Sequence, residues 1–199
     1  MSTAIMIMAA GESSRFGSCK QLSELDSQHS LLSHAVEEAL KSEVGPVFVI
    51  TGRWHQEIEQ AQHRGQLASV PLLCCSQWAQ GLGNSIAYGT RMLEAEHEAI
   101  LITLADQVAL QASDFRQLAA QAHPQLIIAA RYNGKPGVPA LFPAACFADL
   151  MLLHGEHGAR HLLRGGVLAV EEIPLANAAC DIDTPQALAQ WQQQTRILT

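Results

Sequence analysis

Lysine is scarce in this chain of 199 residues: Lys20, Lys41 and Lys135 are all it has. Charged side chains of either sign make up 16%, against ~25% in ordinary soluble domains. Twelve basic residues face 19 acidic ones, for a net charge of −7. That balance argues against a general nucleic-acid binder, which needs a basic face for the phosphates, and against an anionic-membrane binder. No apolar run approaches the ~18 residues of a membrane-spanning helix. The apolar start, Ala4 to Ala10, has no positive region before it and meets Gly11, Glu12 and Arg15 at once, so it is not read as a signal peptide. Cys19, Cys74, Cys75, Cys146 and Cys180 form no C-x-x-C pair, a pattern of reduced thiols that points to the cytoplasm. Cys74 and Cys75 together read as a buried strand end.

What is present is apolar material, 48% of the chain, enough for a substantial core. The length suits one domain over residues 1–199. Short apolar runs at 4–8, 47–51, 70–74, 100–104, 126–131 and 168–172 read as strands. Helical patterns lie between them, at 31–41, 54–64, 84–95 and 113–122. Ser30 and Ser113 are expected as N-caps. Leu32, Ala35, Val36, Ala39 and Leu40 are expected to share the buried face of the first helix. Asn133-Gly134 is a turn, short helices follow near 143–153 and 159–163, and Pro185 opens the last helix. The rhythm predicts an α/β fold: a mostly parallel sheet covered by helices on both faces, a Rossmann-like three-layer arrangement.

Open α/β sheets bind ligands at the carboxyl ends of their strands. Met8-Ala9-Ala10-Gly11-Glu12-Ser13-Ser14-Arg15-Phe16-Gly17-Ser18-Cys19-Lys20-Gln21 follows the first strand there. Its small residues allow close backbone approach to a phosphate or base, and Arg15 and Lys20 add charge. The spacing fits neither a Walker A loop nor G-x-G-x-x-G. Trp78-Ala79-Gln80-Gly81-Leu82-Gly83-Asn84-Ser85-Ile86 sets two glycines before a helix N-terminus, which favours an anion. Asp106, just past a buried strand, is well placed for Mg²⁺, an ion that takes oxygen ligands. In Asp181-Ile182-Asp183-Thr184-Pro185 two carboxylates at i and i+2 can share a cation, or one can cap the helix. His154, His157 and His161 match no strong zinc spacing.

The first segment resembles the L-A-A-G-x-[GS]-x-R-[MF]-G-x-x-K signature of nucleotidyltransferases. The second resembles W-x-x-G-[LM]-x-x-S-[IL], Leu104-Ala105-Asp106-Gln107-Val108 resembles L-A-D-Q-P with Val108 in place of proline, and 181–185 resembles D-[IV]-D-T-P. Residues 131–142 and 155–163 are similar to G-x-P-x-[LF]-F and G-x-x-G-A-R-x-L-L. Together these are the motifs of the MobA-like NTP transferase family, in its molybdenum-cofactor cytidylyltransferase branch.

The resemblance implies a GT-A-like nucleotidyltransferase domain that moves CMP from CTP to the terminal phosphate of a molybdopterin-type acceptor and releases pyrophosphate. It implies that Ala9, Ala10 and Gly11 line the nucleoside and that Arg15 and Lys20 hold the triphosphate. Gly81, Gly83 and Ser85 would read the base, Ser85 alternatively capping the helix. Asp106 and Asp183, with Asp181 as a further candidate, would bind Mg²⁺ or Mn²⁺. Arg131, Lys135, Gly137, Pro139 and Arg160 would form the acceptor side. A molybdenum hydroxylase or its chaperone is the implied protein partner. Two alternatives stay open: a cytidylyl- or uridylyltransferase acting on another phosphorylated alcohol or sugar phosphate, and a non-catalytic chaperone that holds the cofactor.

Overall fold

The computed structural model describes residues 1–166 and 168–197. Seven strands form one sheet: β1 (Thr3–Ala9), β2 (Val47–Thr51), β3 (Leu72–Cys74), β4 (Ala99–Leu104), β5 (Leu126–Tyr132), β6 (Lys135–Pro143) and β7 (Ala169–Pro174). Their order is β3-β2-β1-β4-β6-β5-β7. All neighbouring pairs are parallel except those of β6, which runs antiparallel to both β4 and β5. The sheet is therefore mixed and mostly parallel.

Every residue of β1 is buried, as a central strand covered on two faces must be. Alternation sends Ala4, Met6 and Met8 to one core and Ile5, Ile7 and Ala9 to the other. The first core is closed by α3 (Leu82–Leu93) and α5 (Phe147–Met151) through Ile86, Ala87, Phe147 and Leu150. The second is closed by α1 (Leu31–Lys41), α2 (His55–His63) and α4 (Ala112–Ala119) through Leu32, Val36, Ile58 and Phe115. Three layers result. A smaller cluster of Leu25, Leu31, Val108, Ile182 and Leu188 fastens α6 (Pro185–Ile197) over the loop that follows β4. Val108, in the position of the family's proline, is buried there.

Ser30 caps α1: its Oγ accepts from the Ser33 amide at 3.1 Å, and Ser33 Oγ accepts from the Ser30 amide at 2.7 Å. Three local expectations need correction. Ser113 lies inside α4, whose N-cap is Gln111; the Asp114 carboxylate accepts from the Gln111 amide at 2.9 Å. Leu40 is 41% exposed: one residue past the buried Ala39, it turns about 100° away from the face of Leu32, Val36 and Ala39. Cys74 is exposed at the end of the short β3, and of that pair Cys75 alone is buried. The five cysteines are all free. Among the described residues no helix is long and apolar enough to cross a membrane.

Candidate active site

β1 and β4 are parallel neighbours, so their carboxyl ends open on the same edge of the sheet. The loop after β1 is pinned there. Arg53 N–H donates to the Ala10 carbonyl at 3.3 Å, Trp54 Nε1 donates to the Glu12 carbonyl at 2.9 Å, and Ser13 Oγ donates to Gln21 Oε1 at 3.1 Å. Ala9, Ala10, Gly11, Ser13 and Lys20 then line a cleft of 260 Å³ together with Trp78, Leu82, Ser85 and Asp106. A side chain at Gly11 would meet nothing within 4 Å, so internal packing does not require its absence.

Two loops meet beside this cleft. Ile182 N–H donates to the Asp106 carbonyl at 3.0 Å, and Gln107 pairs with Asp181 in a short antiparallel bridge. The acids carried by the ends of β4 and of the segment before α6 thereby come together around Lys20. Its Nζ lies 2.7 Å from Asp106 Oδ2, 2.9 Å from the Ile182 carbonyl and 3.6 Å from Asp183 Oδ1. Arg15, largely exposed, reaches within 3.6 Å of Asp183 Oδ2. Burial raises the Asp106 carboxyl above the ordinary carboxylate range; the Lys20 ammonium opposes that rise, and Asp183 and Asp181 add to it.

A second, larger cleft of 1270 Å³ adjoins the first along Leu82 and Leu104, which line both. Lys135, Arg160 and Arg164 give it cations, Asp149, Glu156 and Asp181 give it acids, and Tyr132 and His157 are further polar groups. The site is thus a small chamber with an acid–lysine cluster beside it and an adjoining large chamber of mixed charge.

Residues 5–173 match the MobA-like NTP transferase domain. The chain belongs to the MobA-like NTP transferase family. It is 31% identical over 192 residues to the purine catabolism protein PucB of Bacillus subtilis, with 91% of each chain covered. It is 27% identical over 180 residues to the molybdenum cofactor cytidylyltransferase of Escherichia coli, with 90% of each covered. In fold it is similar to the Rv0371c homologue of Mycobacterium sp. strain JC1, with a TM-score of 0.83 at 23% identity over 99% of this chain and 98% of that one. Rv0371c of Mycobacterium tuberculosis in complex with manganese gives a TM-score of 0.75 at 19% identity over 97% and 99%.

In this MobA-like nucleotidyltransferase, Ala9, Ala10, Gly11, Lys20, Ser85 and Asp106 share the small cleft. Gly81 and Gly83 do not line it. Gly81 has φ +111°, and a Cβ there would strike the Gly155 carbonyl; one at Gly83 would come within 2.8 Å of the His154 backbone. Gly83 N–H donates to the Gly155 carbonyl, and Gly155 N–H donates to Asn84 Oδ1, both at 2.8 Å. The glycines dock the 154–156 turn on the start of α3. Ser85 lies within the first turn of α3, whose N-cap is Gly81, so it is not a cap. Lys135, Gly137 and Arg160 line the large cleft, whereas Arg131 and Pro139 do not. Arg131 is exposed and pairs with Glu172 of the adjacent β7 at 3.4 Å. Asp181 and Asp183 diverge: Asp181 faces the large cleft, while Asp183 pairs with Lys20 and Arg15.

Among the described residues no three His, Cys, Asp or Glu side chains form a ligand group, His154, His157 and His161 included. The two acids nevertheless fit a divalent ion. Asp106 Oδ1 is closed off from solvent without a hydrogen-bond partner, and Asp183 stands beside it on the Lys20 side. One or two carboxylates, with waters and substrate phosphates, are the set Mg²⁺ ordinarily uses.

Gln107 is a residue that sequence reasoning passed over. Its Nε2 donates to the carbonyls of Val138 at 2.8 Å and Ala178 at 3.0 Å. Its Oε1 receives longer bonds, of 3.4 Å, from Thr103 Oγ1 and the Leu104 amide. A buried amide so placed ties β4, β6 and the segment before Asp181 together. Gln107→Leu leaves two carbonyls unpaired, at about 1–3 kcal/mol for each buried group. We expect urea denaturation to show a loss of about 2–6 kcal/mol. An unchanged midpoint would mean that Gln107 is not the tie.

Proposed function

We propose that this protein, acting as one domain, transfers CMP from CTP to the terminal phosphate of molybdenum cofactor with release of pyrophosphate. The observation that carries the proposal is the cluster of Lys20, Asp106 and Asp183, whose Lys20 and Asp106 line a small cleft that adjoins a large one. CTP would occupy the small cleft, its base and ribose against Ala9, Ala10, Gly11 and Ser85. The acceptor would occupy the large one, its anionic groups met by Lys135 and Arg160. An acceptor phosphate oxygen attacks the α-phosphorus, the bond from that phosphorus to the bridging oxygen breaks, and pyrophosphate leaves with the electron pair. An ionised phosphate needs no general base, so positioning and charge stabilisation carry the catalysis. Asp106 and Asp183 would hold Mg²⁺ or Mn²⁺, which when bound neutralises charge on the phosphates. Arg15 and Lys20 would hold the triphosphate, and Lys20 would stabilise charge on the departing pyrophosphate.

The motif resemblance and the 27% identity to a molybdenum cofactor cytidylyltransferase support the acceptor. Free thiols at all five cysteines support a cytoplasmic setting. A molybdenum hydroxylase or its chaperone is the proposed recipient of the product. The test is pyrophosphate release with purified cofactor and each nucleotide in turn. A small cleft suits a pyrimidine, so CTP should outcompete GTP as substrate. A clear GTP preference would move the protein to guanylyl transfer, and turnover only with a sugar phosphate or another phosphorylated alcohol would replace the acceptor.

A further inference from the structure

We infer that Lys20 is the resident cation of the acidic cradle in the nucleotide-free protein, so that a divalent ion enters only together with the nucleoside triphosphate. The inference rests on the metal role proposed above for Asp106 and Asp183. The oxygens around Nζ are a carboxylate at 2.7 Å, a backbone carbonyl at 2.9 Å and a second carboxylate at 3.6 Å. Those are the hard oxygen donors a divalent ion seeks. The Lys20 side chain is 13% exposed, so its charge is little screened by water at that point. A dication entering beside it meets a like charge at close range.

The same side chain has somewhere else to go. Lys20 also lines the small cleft, together with Ala9, Ala10, Gly11 and Ser13. Lysine is a compact charge on a flexible four-carbon stem, suited to change partners without moving the backbone. A triphosphate in that cleft offers the ammonium new anionic partners and brings its own metal. The ammonium would leave the acids as the metal reaches them, freeing Asp106 Oδ2 and Asp183 Oδ1 for it. Net charge at the acids rises by one unit in this exchange, which the triphosphate offsets.

The test needs no acceptor and no turnover. Binding of Mn²⁺ to the full chain is measured by water-proton relaxation, with and without CTP, for wild type and Lys20→Met. Methionine keeps an apolar stem of similar length and removes the charge. A charge at this range typically shifts a neighbouring ionic equilibrium by ~10–10³-fold. Nucleotide-free Lys20→Met should therefore bind Mn²⁺ tighter than wild type by about that factor, ~10–10³. Wild type should gain a comparable factor when CTP is added. Equal nucleotide-free affinities in the two proteins overturn the inference. The wild-type arm decides alone if the variant does not fold: Mn²⁺ affinity that CTP leaves unchanged overturns it. No Mn²⁺ binding in any arm removes the metal reading along with it. Failure of CMP transfer to molybdenum cofactor, with the Mn²⁺ pattern intact, rejects the acceptor and leaves the exchange standing.

Discussion

Asp106→Asn should abolish turnover while the fold survives. The proposed metal supplies several kcal/mol of charge stabilisation, and each ~1.4 kcal/mol is tenfold in rate. The loss should therefore be at least ~10³-fold. Asparagine keeps the shape but holds a divalent ion poorly. Breaking a buried ion pair by removing one partner often costs about 3–5 kcal/mol, because the other charge is stranded. Lys20 is not stranded here: the Ile182 carbonyl at 2.9 Å and Asp183 at 3.6 Å remain. The melting temperature should fall far less than the activity does. Pyrophosphate release measured beside a thermal melt checks both halves. Activity within a few-fold of wild type would remove Asp106 from the mechanism, and a collapsed melt would make it a structural residue.

The parallel half of the sheet is legible in the sequence because its strands are short, continuous apolar runs set between helical patterns. β6 is not. Lys135-Pro136-Gly137-Val138-Pro139 carries three residues that normally end a strand, so the segment reads as a turn and a loop. The structure accommodates both prolines. β4 pairs only with Ala140–Pro143 of β6, leaving Pro136 and Pro139 beyond its reach. The register of β5 against β6 shifts between Ala129 and Ala130, so that Ala129 pairs with Ala140 and Ala130 with Gly137. Pro139 falls in the irregularity, where a missing N–H breaks no ladder bond. This was a tertiary fact: the partner strands decide where a donor is needed.

The site divides in the same way. Ala9 to Gly11, Lys20 and Asp106 were legible because each follows a strand that the apolar pattern had already located. The pairing of Lys20 with Asp106 and Asp183 depends on three loops meeting, and spacing within any one of them carries no trace of it. Gly81 and Gly83 show what local spacing leaves open. They do free the backbone for a close approach, but the chain that approaches is their own 154–156 turn. Arg131 and Tyr132 are adjacent on β5, yet only Tyr132 lines the large cleft. A glycine-rich, cation-bearing stretch does not say which of two neighbours faces it until the strand assignment is fixed.

Lys20→Ala should lower kcat by about 10²–10³, the loss typical of one deleted charge-stabilising donor, with a smaller change in KM for CTP. Negative charge grows on the pyrophosphate as it departs, and only interactions that strengthen in the transition state raise kcat. In the nucleotide-free protein the ammonium is committed to Asp106 and Asp183, so ground-state CTP binding must first give up those contacts. Part of its attraction to phosphate is thereby cancelled before the reaction begins. That cancellation is why the variant should bind CTP nearly as well as wild type while turning it over slowly. Lys20→Arg should rescue only in part: a planar guanidinium cannot occupy the pocket of a compact ammonium flanked by Phe16 and the Ile182 carbonyl. Steady-state kinetics with CTP varied separate the possibilities. A raised KM at constant kcat would make Lys20 a source of uniform binding, and near-normal kinetics in both variants would reduce it to a structural partner of Asp106.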